Sequence, residues 1–156
     1  MIIKGFRYSV AIRTLGKAGE IYQKELDSLN NQTIRPEKII VYLAEGYDKP
    51  KETIGWENVV YVKKGMVAQR ALEYKEINSP YILLLDDDVY LPKDAVEKMA
   101  SALLTEAGDC IAADTFPNHK MSAVCKIKAA ISNWTFPIYS KKWAIKIQRT
   151  GSFCYN

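Results

Sequence analysis

Three consecutive aspartates, Asp86, Asp87 and Asp88, stand directly behind the apolar run "YILLL" at 81–85. Carboxylates this close repel one another, so a positive partner is expected among them. On an extended chain successive side chains point to alternate sides, so Asp86 and Asp88 converge while Asp87 faces away. Two hard oxygen donors at that spacing suit Mg²⁺ or Mn²⁺, and a metal held by only two carboxylates keeps positions open for phosphate oxygens of a substrate. The chemistry that follows is metal-assisted departure of a phosphate leaving group. Aspartate is also common in turns and at helix starts, which accounts for one such residue but not for three in a row.

The elements that must hold these acids are short and alternate in type. "YSVAIRT" (8–14) reads as a buried strand, and 18–31 places Ile21, Tyr22, Leu26 and Leu29 at helical spacing. "EKIIVYL" (37–43) is a second strand, followed by the long polar loop "AEGYDKPKETIGWEN" and a third strand, "VVYVK". A helix over 66–77 leads to "YILLL", apolar on both faces and therefore expected mid-sheet. A further helix over 91–104 opens on Pro92, with Asp94 three residues before Glu97 in a capping-box spacing. Beyond it lie a candidate fifth strand at 110–116, a helical pattern at 122–132 and a strand-like stretch at 149–156. Strands alternating with helices predict an α/β domain with a mostly parallel sheet, whose ligands sit beyond the carboxyl ends of the strands. The aspartates lie at that edge.

At 156 residues the chain fits one domain, and 48% hydrophobic with 26% charged residues is an ordinary globular composition. No export signal or membrane span is evident in the sequence, so a cytoplasmic location is expected. Cys110, Cys125 and Cys154 are odd in number and widely spaced, and read as reduced thiols. Net charge is +4, unevenly spread: seven basic and no acidic residues follow Asp114, leaving 15 basic against 18 acidic in the first 114 residues. The basic tail, with Trp134, Phe136, Tyr139 and Trp143, suits peripheral contact with an anionic membrane face or packing into the core. The acidic body and the lack of a recognised motif argue against nucleic acid.

Two families place such acids after an apolar strand. "LLLDDDVY" partly fits the haloacid-dehalogenase phosphatases, with Asp86 as nucleophile, but Tyr90 stands where that motif has Thr or Val, and the motif belongs on a first strand. Over almost the whole chain, the order "YSVAIRTLGKAGEIYQKELDSLNNQTIRPEKIIVYLAEG", "KKGMVAQRALE", "YILLLDDDVYLPKDAVEKM" resembles the nucleotide-sugar half of family 2 inverting glycosyltransferases. That resemblance implies a Rossmann-like GT-A α/β/α sandwich, a single domain over 1–156 with a nucleotide-sugar core at 1–115 and an acceptor-side segment at 116–156. It implies transfer from a nucleotide-diphosphate sugar to a glycan or lipid-linked acceptor of the cell-surface polysaccharide type. Thr14 would line the base pocket, Arg70 would approach the ribose and diphosphate, Asp86 and Asp87 the ribose or phosphate side, and Asp88, with Asp86, would bind Mn²⁺ or Mg²⁺. The sequence departs from the pattern at Arg13, where the family has Pro, and at "VYLAEG", which lacks the base-binding aspartate; Glu45 is the substitute at a shifted position. The family's catalytic base lies further downstream. The chain therefore reads as a truncated or non-catalytic nucleotide-binding piece, with Asp114 or His119 the nearest titratable groups.

Overall fold

The computed structural model describes residues 5–105, 109–112 and 145–149. Its sheet contains β1 (Tyr8–Thr14), β2 (Ile39–Ala44), β3 (Asn58–Val62), β4 (Tyr81–Asp86), β5 (Cys110–Ala112) and β6 (Ile145–Arg149), in the order β3-β2-β1-β4-β6-β5. β3, β2, β1 and β4 are mutually parallel, while β6 runs antiparallel between β4 and β5. The mostly parallel α/β sheet expected from the sequence is present. The antiparallel insertion of β6 was not expected, and it places β5 two strands away from β4. The stretches 122–132 and 150–156, the aromatic tail, Asp114 and His119 lie outside the described residues.

Period-2 alternation divides the sheet's apolar side chains between two faces. Val10, Ile12, Ile39, Val41, Leu83, Leu85 and Ile147 point into one cluster with Tyr22, Leu26 and Leu29 of α1 (Glu20–Asn30) and Val96, Met99, Ala100 and Leu103 of α3 (Ala95–Thr105). Sealing Leu26, Leu29, Leu83 and Leu85 from water contributes about 1.5–3 kcal/mol each. The intervening residues Ala11, Ile40, Tyr42 and Ile82 form a smaller cluster on the other face with Ile77, Leu72 and Tyr74. The helix on that side, α2, covers only Met66–Arg70, where the sequence pattern predicted one through residue 77. The chain leaves it at Ala71 and turns through Tyr74, which takes a positive φ of 49°.

The "SLNNQT" stretch at the end of α1 has a mechanical role. Ser28 accepts a hydrogen bond from the Leu91 N–H at 3.1 Å. The buried Gln32 donates to the Pro92 carbonyl at 2.8 Å and to the Ser28 carbonyl at 3.0 Å, and accepts from the Val96 N–H at 3.2 Å. The Thr33 N–H adds a bond to the Lys93 carbonyl at 2.9 Å. α1 thus clasps the segment that follows the aspartates and carries it into α3. Asp94, at the start of that helix, pairs with Lys98 one turn on at 2.7 Å.

Gln32→Leu removes the three bonds of the Gln32 side chain while leaving the Val96 N–H buried. It should destabilise the protein by about 2–3 kcal/mol in urea denaturation, the scale of an orphaned buried group plus lost hydrogen bonds. A loss below about 0.5 kcal/mol would show that the clasp is not structural.

Candidate functional site

Parallel pairing of β1 with β4 sets Arg13 opposite Asp86 in register. The Arg13 guanidinium donates to the Asp86 carboxylate at 2.7 Å, the arginine side chain being 15% exposed and the aspartate 40%. One residue on, the Thr14 hydroxyl hydrogen-bonds the Asp87 carboxylate and accepts from the Gly16 N–H at 2.8 Å. The positive partner expected for the acidic triplet is therefore supplied in part by the chain itself. β4 ends at Asp86, and Asp87 and Asp88 lie in a turn. Strand alternation no longer holds there, so Asp86 and Asp87 share one cleft, where alternation had predicted Asp86 with Asp88.

That cleft holds about 370 Å³ beyond the C-terminal ends of β1 and β4. Thr14, Lys17, Gln69, Arg70, Asp86 and Asp87 line it, together with Arg13. The Gln69 side chain donates to the Thr14 carbonyl at 3.2 Å, which fastens α2 to the end of β1 and brings Arg70 to the rim. Gly16, at φ +71°, permits the loop after β2 to close in, since a Cβ there would stand 2.7 Å from the Asp48 carbonyl oxygen. On that loop Tyr47 has the Lys17 and Lys64 ammonium groups 4.9 and 4.8 Å from its ring centroid, and Lys64 draws its phenol below the ordinary range. Lys17 and Arg70 have no anionic partner among the described residues. A cleft edged by unpaired cations over an acidic floor suits an anionic ligand that brings its own counter-cation.

Of the residues singled out in the sequence, Thr14, Arg70, Asp86 and Asp87 come together here. Glu45 follows β2 at the same edge, its N–H bonded to the Val62 carbonyl at 2.8 Å, but its exposed side chain does not line the cleft. Asp88 is exposed and also off the lining, without a partner among the described residues. Among those residues no three His, Cys, Asp or Glu side chains form a metal shell by themselves. With Asp86 paired to Arg13 and Asp87 bonded to Thr14, Asp88 is the carboxylate of the triplet left free to accept a hard cation.

Sequence reasoning missed Glu25. It falls between Tyr22 and Leu29 on the buried stripe of α1, is wholly sealed from solvent, and neither carboxylate oxygen has a hydrogen-bond partner of ordinary geometry. Burial, then the charges of Asp87, Asp88 and Asp86, push its pKa well above 4.5; the Val89 amide opposes this weakly. Burial also raises Asp87, against the Thr14 hydroxyl bond. An acid at i+3 and i−4 from two apolar helix positions was the available signal.

No family model matches the chain, and a search of the curated proteins returns no match. Solved structures do match, and together with the sheet they define the class of fold as GT-A-like α/β. TarS of S. aureus, a glycosyltransferase, is among them: its 1–349 structure superposes with TM-score 0.60 at 16% identity over 92% of this chain and 47% of that one. The same protein in complex with UDP-GlcNAc gives TM-score 0.59 at 16% identity, covering 92% of this chain and 45% of that chain. Its complex with UDP gives 0.56 at 14%, covering 92% and 47%. The chain spans about half the length of the TarS 1–349 structures. No helix among the described residues is long and apolar enough to cross a membrane.

A carboxyl whose folded pKa is raised binds protons more readily folded than unfolded, so the stability it confers is complete below its ordinary value of 4.5 and is lost as pH rises towards the folded value. In metal-free buffer, Glu25→Gln should therefore flatten the fall in Tm with rising pH above 4.5 and should be at least as stable as wild type at pH 8. Equal pH slopes in the two proteins would show that Glu25 titrates normally.

Proposed function

We propose that the chain is the nucleotide-sugar-binding part of a metal-dependent glycosyltransferase of the inverting type. The observation that carries this reading is the paired acid edge, Arg13 with Asp86 and Thr14 with Asp87, facing a cleft with Lys17 and Arg70 at the carboxyl ends of parallel strands. Ligands of α/β sheets bind at this edge, and the TarS structures that share the fold include complexes with UDP-GlcNAc and UDP.

In this mechanism Thr14 and Asp87 hold the nucleoside, their mutual hydrogen bond fixing both rotamers before the donor arrives. Arg13 neutralises Asp86, which lets a diphosphate approach an edge that three bare carboxylates would repel. Arg70 and Lys17 pair with phosphate oxygens as charge develops on the leaving group. Asp88 would hold Mn²⁺ or Mg²⁺, which when bound would stabilise charge on the departing nucleoside diphosphate. An acceptor hydroxyl of a glycan or lipid-linked saccharide attacks the anomeric carbon from the opposite side, and a carboxylate takes its proton. Asp114, which follows β5 in the sequence, is the proposed base. The acid-free basic tail is proposed to meet an anionic membrane surface carrying the acceptor. The phosphohydrolase alternative needs Asp86 as a free nucleophile, and the Arg13 ion pair weighs against it.

Thermal shift with UDP-GlcNAc tests this. Tm should rise only when Mn²⁺ or Mg²⁺ is present, by the equivalent of about 2.7 kcal/mol at a hundredfold excess over Kd. Asp88→Asn and Arg70→Ala should each weaken binding by about tenfold or more, the loss of one charge-assisted contact. Unchanged affinity in EDTA and in Asp88→Asn would remove the metal from the mechanism, and absence of any nucleotide-sugar binding would overturn the reading.

A further inference from the structure

The opposite edge of the sheet carries a second groove, of about 490 Å³, at the N-terminal ends of β2 and β3. β2 separates it from the nucleotide cleft by roughly 16–20 Å, at ~3.3 Å per strand residue. Its volume lies within the roughly 300–1,000 Å³ of small-molecule sites. Three features of its walls point to one chemistry.

The first is Trp56, a large aromatic left 43% exposed on a turn that is already ordered. Glu57 accepts from the Thr53 hydroxyl and, at 3.2 Å, from the Ile54 N–H, while the Gly55 N–H reaches the Thr53 hydroxyl at 2.9 Å. Gln23 of α1 anchors the turn through the Thr53 N–H at 3.1 Å, and Ile54 packs on the main core. The indole is therefore presented on a fixed support, so little ordering entropy is lost on binding.

The second is charge. Lys38, Lys75, Glu37 and Glu76 line the groove and sum to zero, and the pairs just outside it, Arg7 with Glu37 and Glu73 with Lys75, add one charge of each sign. Both acids are held from behind: Glu76 accepts from the buried Tyr42 hydroxyl at 2.8 Å, and Glu37 from Arg7 at 2.5 Å and Ser79 at 2.6 Å. A net anion or cation gains nothing from such a wall. The third is the pair of exposed amides of Asn58 and Asn78, whose side chains have no hydrogen-bond partner among the described residues and offer donors and acceptors together.

An aromatic face, balanced fixed charges and free amides match a neutral ligand with an apolar C–H face and a rim of hydroxyls. We propose that this groove binds a neutral oligosaccharide, with a sugar ring stacked on Trp56 and its hydroxyls on Asn58, Asn78 and the two fixed carboxylates. The groove is a holding site, apart from the nucleotide cleft, and it does not depend on the transferase reading.

The chain contains three tryptophans, so the ¹⁵N-labelled protein shows three indole N–H signals, and Trp56→Phe identifies one of them. Titration with maltohexaose, cellohexaose and chitohexaose should shift the Trp56 signal saturably for at least one of the three. Trp56→Ala and the double variant Asn58→Ala/Asn78→Ala should weaken that binding about tenfold or more, and Trp56→Phe, which keeps an aromatic face, about threefold or less. Binding of UDP-GlcNAc with Mn²⁺ should be the same in wild type and all three variants. No saturable shift of the Trp56 signal with any of the sugars, or equal affinity in Trp56→Ala, would overturn the proposal; loss of nucleotide-sugar binding in the wild type would overturn the transferase reading alone.

Discussion

The register of β1 against β4 is the constraint on which the rest depends. It sets Arg13 opposite Asp86 and carries Thr14 to Asp87, so a cation and a hydroxyl meet two carboxylates where the strands stop. A slip of one residue would turn each side chain of β4 to the other face of the sheet, exchanging Leu83 and Leu85 with Ile82 and Leu84 between two unlike cores. Hydrophobic burial therefore holds the electrostatics of the site in place. The ion pair needs no great strength of its own, since the strands beneath it are sealed.

A second constraint comes from α1. Its C-terminal end clasps residues 91–96 through Ser28, Gln32 and Thr33, so the chain leaving the aspartate turn has a fixed exit. The same helix buries Glu25 beneath that turn at a cost in stability, because a sealed carboxyl that only the Val89 amide weakly supports is unfavourable when charged. An unfavourable group next to three acids marks the region as one shaped for something other than stability. The sheet thus carries two unlike edges. The carboxyl edge is charged and unbalanced, and the amino edge is charged and balanced, with an aromatic platform.

The sequence determined the elements and the side of the sheet on which the chemistry lies. The apolar alternation of β1, β2 and β4, the helical stripe of α1 and the acids behind "YILLL" depend on local spacing, which is readable without coordinates. Thr14, Arg70, Asp86 and Asp87 could be picked out together because the order of their segments resembles that of a known family. The early end of α2 at Arg70 was not legible, because Leu72, Tyr74 and Ile77 keep a helix-like apolar spacing and pack on the sheet from a non-helical segment.

What only the tertiary structure decided are relations between residues far apart in the chain. Arg13 and Asp86 are 73 positions apart, and nothing local to either announces an ion pair; it arises from strand register. Asp87 shares the cleft in place of Asp88 because the strand ends at Asp86, two residues earlier than period-2 alternation assumed. Glu45 stands off the cleft because the loop after β2 turns at Gly46 and closes on Gly16 instead. β6 enters the sheet antiparallel between β4 and β5 through pairing energies that a linear pattern does not carry. Local periodicity fixes which face of an element is apolar, and only the packed sheet fixes which polar ends then meet.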